Sequence, residues 1–312
     1  KLLALVATLG MVASASAVKI NNNLSINGFI DGSYASTDDG AAKTQSLEVD
    51  EVELNFVTNV GNVSSLIAVD ANLDGVDGST DLGIEQAHFT YTLENGVSLT
   101  FGRYGSALGL EREDPAGLYT VSRAYSTNFN LGDINNNAKE GLTVSYAAEA
   151  WTLGVSIENP AGTIRSGGTK NDLDFEVALT YTGIENLNVG LGYFKDNQAV
   201  AANETDVTNI HATYQVGKAL LGAEFTQADT ATVDLDATMF LVDYDVSDKL
   251  GVAVRYSTYE NGANNDVDTI TVAPNYAITD SLGAILEYSD ISRDDAAVGD
   301  SDTIALELTY TF

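Results

Sequence analysis

The stretch Trp151-Thr152-Leu153-Gly154-Val155-Ser156-Ile157-Glu158 alternates without a break: Trp, Leu, Val and Ile on odd positions, Thr, Gly, Ser and Glu on even ones. Successive side chains of a β-strand point to opposite faces, so this octet carries one apolar face and one small or polar face. The same period runs through Phe175–Tyr181, Leu187–Tyr193, Leu250–Ser257, Leu282–Ser289 and Ile304–Phe312. No segment of comparable length shows helical spacing.

The links between these segments alternate in kind. Tight ones fall at 61–62, 94–96, 147–149, 183–186, 216–218, 246–249 and 278–281. Longer ones, rich in Asp, Asn, Gly, Ser and Thr, fall at 37–45, 74–81, 105–138, 160–173, 195–205, 228–234, 260–265 and 291–301. Short turns at one end and long loops at the other are the pattern of a transmembrane antiparallel up-and-down β-barrel, here of about sixteen strands. Some 295 residues over that number leave roughly 18 per strand plus link, enough for the ~10 residues that a tilted spanning strand needs.

Composition fits. The chain has 312 residues, no cysteine, and 45 Asp+Glu against 14 Lys+Arg, a formal charge of −31. Such a chain repels nucleic-acid phosphates, so nucleic acid is excluded as a partner. Disulfides and thiolate metal sites are excluded too. A mean hydropathy of −0.02 argues against a helical membrane protein but not against a barrel, where only alternate residues meet lipid. Residues 1–17 read as a signal peptide: Lys1, an apolar run over 2–12, then Ala15-Ser16-Ala17 as a cleavage signature. That leaves 18–312 as the barrel.

Aromatics gather near strand ends: Tyr91, Tyr104, Tyr146, Tyr181, Tyr193, Tyr214, Tyr244, Tyr256, Tyr276, Tyr288, Tyr310 and Phe312. Most share the apolar parity, as interfacial girdles require. Ile304-Ala-Leu-Glu-Leu-Thr-Tyr-Thr-Phe312 alternates up to a terminal aromatic and resembles the C-terminal strand signal of bacterial outer-membrane barrels, with Tyr310 and Phe312 read by the barrel assembly machinery.

With Gly28-Phe-Ile-Asp-Gly32 as a first strand, Phe101-Gly-Arg103, a long third loop and the terminal Phe, the chain resembles the bacterial general porins. The stretch from Leu108 to Tyr125 resembles the loop of porin-like barrels. The resemblance implies an outer-membrane location, contact with lipid and lipopolysaccharide, a homotrimer, and a third loop (105–138) folded into the lumen as a constriction. It implies no enzymatic activity. The porin family often sets acidic loop residues against a basic wall. Here Glu111, Glu113 and Asp114 stand for the acidic side, facing Arg103, Arg112, Arg123 and, on the opposite wall, Arg255. Arg103 falls on the apolar parity and needs a bulge to line a pore. Pro274 lies inside a strand pattern and is expected at a bulge or an edge.

The polar parity faces the lumen and carries Asp31, Glu51, Glu53, Asp70, Glu158, Glu176, Glu224, Glu287 and Glu307. A lumen of that sign concentrates cations and depletes anions. The expected function is passive diffusion of small hydrophilic solutes and ions with cation preference. The alternative is an occluded barrel whose loops bind or anchor. His88 and His211 share the polar parity, and no metal site or cofactor is expected. Asp74–Asp81 holds oxygen ligands for Ca²⁺ but lacks the full EF-hand pattern, so a loop Ca²⁺ stands as the weaker expectation beside a solvated loop.

Overall fold

The computed structural model describes residues 17–72, 81–111, 114–124, 139–159, 173–197, 205–230, 234–260, 266–295 and 298–312. Sixteen long strands make the wall: β2 (Leu24–Asp38), β3 (Lys43–Val60), β4 (Val63–Asn72), β5 (Asp81–Thr92), β6 (Val97–Tyr104), β7 (Lys139–Ala147), β8 (Trp151–Glu158), β9 (Asp174–Ile184), β10 (Leu187–Asp196), β11 (Thr205–Val216), β12 (Ala219–Thr230), β13 (Asp234–Asp245), β14 (Leu250–Glu260), β15 (Val267–Ala277), β16 (Leu282–Arg293) and β17 (Ser301–Thr311). A two-residue strand, β1 (Val18–Lys19), folds back on β2. Each long strand pairs antiparallel with its sequence neighbour, and β17 pairs with β2, so the sheet closes on itself. Closure removes every edge, which hydrocarbon would not tolerate.

The seam shows how the ends meet. Phe312 N–H donates to the Gly28 carbonyl and Gly28 N–H returns the bond to Phe312, each at 3.1 Å. Gly28 has no alternative here: a Cβ on it would collide with the backbone carbonyl of Glu53 and meet the Phe312 ring at 3.2 Å.

The expected alternation of links is present, with two adjustments. The first loop is only 39–42, and the sixth only 231–233, because the flanking ladders continue into the polar residues. Asp39 caps the first by accepting from Ala41 (2.9 Å) and Ala42 (2.6 Å) N–H groups, which hold its carboxyl below the ordinary value. The signal-peptide reading, 1–17, and the Ca²⁺ reading, 74–81, fall almost wholly outside the described residues. Pro274 is a correction. It sits in mid-strand on β15, at neither a bulge nor an edge. The pairs flanking it, Val272↔Tyr288 and Asn275↔Ile285, keep one register, so the missing donor interrupts the ladder locally without shifting it.

The outward face is apolar. Tyr91, Tyr146, Trp151, Tyr181, Tyr214, Tyr244, Tyr276 and Tyr310 are exposed near the short-turn end, with the Tyr146 and Trp151 rings in tilted contact at 5.4 Å between centroids. Tyr104 departs from the expected girdle. It pairs with Lys139 on the lumen parity and is buried.

If seam closure is what limits folding, Gly28→Val leaves a barrel that cannot close. The expected result is loss of the compact, heat-modifiable band on unheated SDS gels, while Gly283→Ala, where a Cβ meets open space, retains it. An overpacking cost of at least ~1–3 kcal/mol applies at Gly28. A Gly28→Val protein that folds like the parent contradicts this account of the seam.

Candidate functional site: the lumen and its inserted loop

The link after β6 is hereafter L3 (105–138), described over 105–111 and 114–124. From Tyr104 it turns into the barrel, and 106–110 lies along the inner wall of β9 to β12. Glu176 accepts from the Ser106 hydroxyl (2.6 Å) and Ala107 N–H (2.9 Å). Asn209 Oδ1 accepts from Gly109 N–H (3.3 Å), and Glu224 from Leu110 N–H (3.1 Å). A loop that leaves the sheet loses its ladder partners, and buried N–H groups must be paired. Here inward carboxylates and an amide supply the acceptors. Two glycines seat the loop's leucines. A Cβ on Gly192 would stand 2.5 Å from Leu108 Cγ, and one on Gly222 would stand 3.3 Å from Leu110. Leu108 completes an apolar cluster with Phe194, Val207, Ala228, Leu235, Ala237 and Tyr259.

Further on, Arg255 of β14 clamps the loop. Its Nη1 donates to Glu111 Oε1 (2.7 Å), to Thr120 Oγ1 (2.8 Å) and to the Ser122 carbonyl, and its Nη2 to Ser122 Oγ (2.7 Å). Only 1% of Arg255 is exposed, and Glu111 is buried with it. Glu111 also accepts from Ala124 N–H (2.6 Å), closing the loop on itself, and Glu287 of β16 accepts from Ser122 N–H (3.1 Å). Between these ties a single 3₁₀ turn, Pro115–Gly117, touches β17 and β2. Tyr119 packs on Leu241, Ala253 and Ala273 beside Ile285.

The expected poles are therefore rearranged. Glu111 and Arg255, anticipated on opposite sides of an aperture, are in direct contact and cancel. Arg112 and Glu113 lie outside the described residues. Arg103 keeps the outward register, opposite Ala87. Its Nε donates to the Glu85 carbonyl (2.7 Å), and the preceding Gly102 takes a φ of 134°. Arg123 lies within electrostatic reach of Asp31 and Glu85.

Every acidic residue placed on the polar parity stands on the lumen side of its strand. Asp31 is paired across from Glu51, and Glu53 from Asp70. Glu158, Glu176, Glu224, Glu287 and Glu307 share that face on β8, β9, β12, β16 and β17. Apart from Glu158, which faces Lys139, they divide into two groups. Glu176, Glu224 and Glu287 hold L3, whereas Asp31, Glu51, Glu53, Asp70 and Glu307 line the wall of β17 and β2 to β4. Simple alternation misses one member, Glu85. A register shift between Ala68 and Val69 bulges β5 and turns Glu85 inward. There Glu53, Glu85 and Asp114 bring carboxylate oxygens within 4.8 Å of one another, and Asn55 donates to Glu53. This is the acidic trio with metal-ligand spacing among the described residues. His88 and His211 are both on the lumen face but apart. His88 packs edge-on to Tyr104, and His211 Nδ1 is 2.9 Å from Asn209 Oδ1.

A closed sixteen-stranded barrel with a polar interior and an inward-folded third loop defines the class of outer-membrane channels. The chain belongs to the Gram-negative porin family, whose family description matches residues 2–297. It is accordingly a protein of the bacterial outer membrane. Solved structures of similar fold include OprB of Pseudomonas putida (TM-score 0.75, 12% identity, 93% of this chain and 94% of that one). The anion-selective porin of Comamonas acidovorans follows (0.72, 14%, 93% and 99%), with OmpT of Vibrio cholerae, a trimer form (0.65, 14%, 93% and 99%). No characterised protein sequence matches the chain.

Arg255→Met should free L3. The change strands Glu111 as a buried uncompensated charge, a loss of about 3–5 kcal/mol for a buried pair. The expected outcome is faster amide exchange over 106–124 with the strands still protected. Arg255→Lys should rescue only partly, since an ammonium cannot span Glu111, Thr120 and Ser122 as a planar fork does. Unchanged exchange in Arg255→Met contradicts the clamp.

Proposed function

We propose that this porin is a cation-preferring diffusion channel for small hydrophilic solutes and ions, with L3 as its constriction. The observation that carries the reading is the sorting of charge inside the barrel. L3 docking takes up Glu176, Glu224 and Glu287 and neutralises Arg255. On β17 and β2 to β5 stands an acidic wall that L3 does not use for its N–H groups, Asp31, Glu51, Glu53, Asp70, Glu85 and Glu307, with Asp114 on the loop. In a narrow low-dielectric lumen such a wall lowers the energy of a passing cation and raises that of an anion. Arg123 is the counter-charge on that side and gives the path a transverse component for orienting dipolar solutes. The similar fold of an anion-selective porin is no obstacle, since selectivity is set by side chains and not by the fold.

The homotrimer belongs to the same reading, and the girdle supports it. At the level of Tyr91, the register passes through Val63 to Val60, neither of them aromatic. The outward face there offers Thr58 and Ser65, hydrogen-bonded to each other at 2.7 Å. A face without interfacial anchors is suited to another subunit better than to lipid. The second reading, an occluded barrel whose outer loops bind, is favoured by how much of the wall L3 touches, from β9 round to β2. Lipopolysaccharide and the assembly machinery are partners this reading admits on family grounds alone, and a loop Ca²⁺ one it admits on the oxygen ligands of Asp74–Asp81.

Two measurements test the reading. In planar bilayers under a KCl gradient, discrete steps with a reversal potential favouring K⁺ are expected. Neutralising Glu51, Glu53 and Asp70 together should move that potential towards zero, while Glu224→Gln should leave it in place. Anion preference overturns the cation reading, and silence from folded barrels moves the case to occlusion. Separately, Thr58→Arg with Ser65→Arg should convert a trimeric mass in mild detergent to a folded monomer. A trimer that persists excludes β2 to β4 as the contact.

A further inference from the structure

Tyr104 and Lys139 are the last wall residue before L3 and the first after it, and they face each other in register. Both point into the lumen, both are buried, and neither the Tyr104 hydroxyl nor Lys139 Nζ makes a hydrogen bond. Glu158 of β8 is 1% exposed. Its Oε1 accepts from Ser156 (2.7 Å), but its Oε2 has no hydrogen-bond partner. The three converge. Lys139 Nζ is 3.6 Å from Glu158 Oε2, beyond a good hydrogen bond, and rests 3.3 Å over the Phe194 ring centroid. Gly141 forms the floor between them. A Cβ on it would meet the Tyr104 hydroxyl at 2.8 Å on one side and Glu158 Cγ at 2.9 Å on the other.

Lys139 and Glu158 form a buried ion pair, but at 3.6 Å neither facing atom makes a hydrogen bond, nor does the Tyr104 hydroxyl, and buried polar atoms left so are costly unless something else satisfies them. The unmet needs are specific: two donors, one cationic, on one side and an anionic acceptor on the other. A net anion is opposed by Glu158 and by the nearby Asp174 and Glu176, which are themselves occupied with Asn197 and with L3. A net cation is opposed by Lys139. We propose that Tyr104, Lys139 and Glu158 form a solute subsite at the neck of L3 that takes a small zwitterion, its carboxylate on Lys139 and Tyr104 and its ammonium on Glu158. Lys139 is the movable part: a Cβ does not fit above Gly141 as the groups lie, so binding requires that its flexible stem leave both the Phe194 face and Glu158. The subsite lies where both ends of the constriction loop leave the wall, so occupancy ties that neck to β8.

This rests on the channel reading only in that the solute arrives through the lumen. Equilibrium binding of glycine to the refolded, detergent-solubilised chain needs no conductance, so it fails or succeeds independently of that reading. Saturable binding in the millimolar range is expected. Lys139→Met, which keeps the apolar stem over Phe194, and Glu158→Gln should each weaken it by about tenfold, the scale of one lost charge-assisted hydrogen bond. Tyr104→Phe should weaken it less, and acetate, chloride and glycerol should not compete. Folding of each variant is checked by its heat-modifiable band. No saturable glycine binding, or binding untouched by both Lys139→Met and Glu158→Gln in folded protein, overturns the proposal. Equal competition by glycerol also overturns it, since the site is then satisfied by any hydroxyl, a bridging water included.

Discussion

Every backbone N–H and C=O that crosses hydrocarbon must find its partner inside the protein, and this requirement organises the whole molecule. It explains why a chain of sixteen alternating segments closes instead of remaining an open sheet. It explains why the last residue, Phe312, exchanges two hydrogen bonds with Gly28, and why that position holds the one residue type that fits. It also shows how Pro274 survives in the middle of β15. One missing donor is tolerable where the strands on both sides keep register and the ladder resumes within two residues.

The same requirement reaches into the lumen. L3 exchanges strand pairing for a path along the inner wall, and its N–H groups at 107, 109, 110, 122 and 124 go to side-chain acceptors. These acceptors are carboxylates as often as they are because an ionised oxygen makes the stronger bond to an N–H group. The consequence is that an inward Glu need not be a pore charge. Glu176, Glu224 and Glu287 are structural acceptors first, and Arg255 is a clamp more than a pole of a field.

Alternation made much of this legible in advance. Parity alone places Asp31, Glu53, Glu158 and Glu307 on the inner face, because a strand's side-chain period is two and a single apolar face sets its phase. The links announce the number of strands for the same reason. Three things escaped that reasoning, each with a physical cause. Bulges break the phase, so Glu85, odd-numbered beside outward Ala87, still turns inward. A strand's end lies beyond where polarity begins, so the first and sixth loops are shorter than composition indicates. Contacts between L3 and the wall join residues more than a hundred apart, such as Glu111 with Arg255, and no local pattern encodes them. Tyr104 shows the converse error: its type argued for a girdle while its register partner, Lys139, argued for the lumen.

The division of the lumen follows from these parts taken together. In this barrel the third loop is drawn inward against the wall. The loop must be fastened, and fastening consumes whatever polar groups face it. The largest group of carboxylates left out of this fastening therefore lies on the wall that L3 does not use for its N–H groups. The strongly acidic composition looks like a uniform property of the chain, but inside the barrel it resolves into a docked side and a free side. A relative with the same strands and loop, but with a different set of residues on the free side, can carry the opposite selectivity without any change of fold.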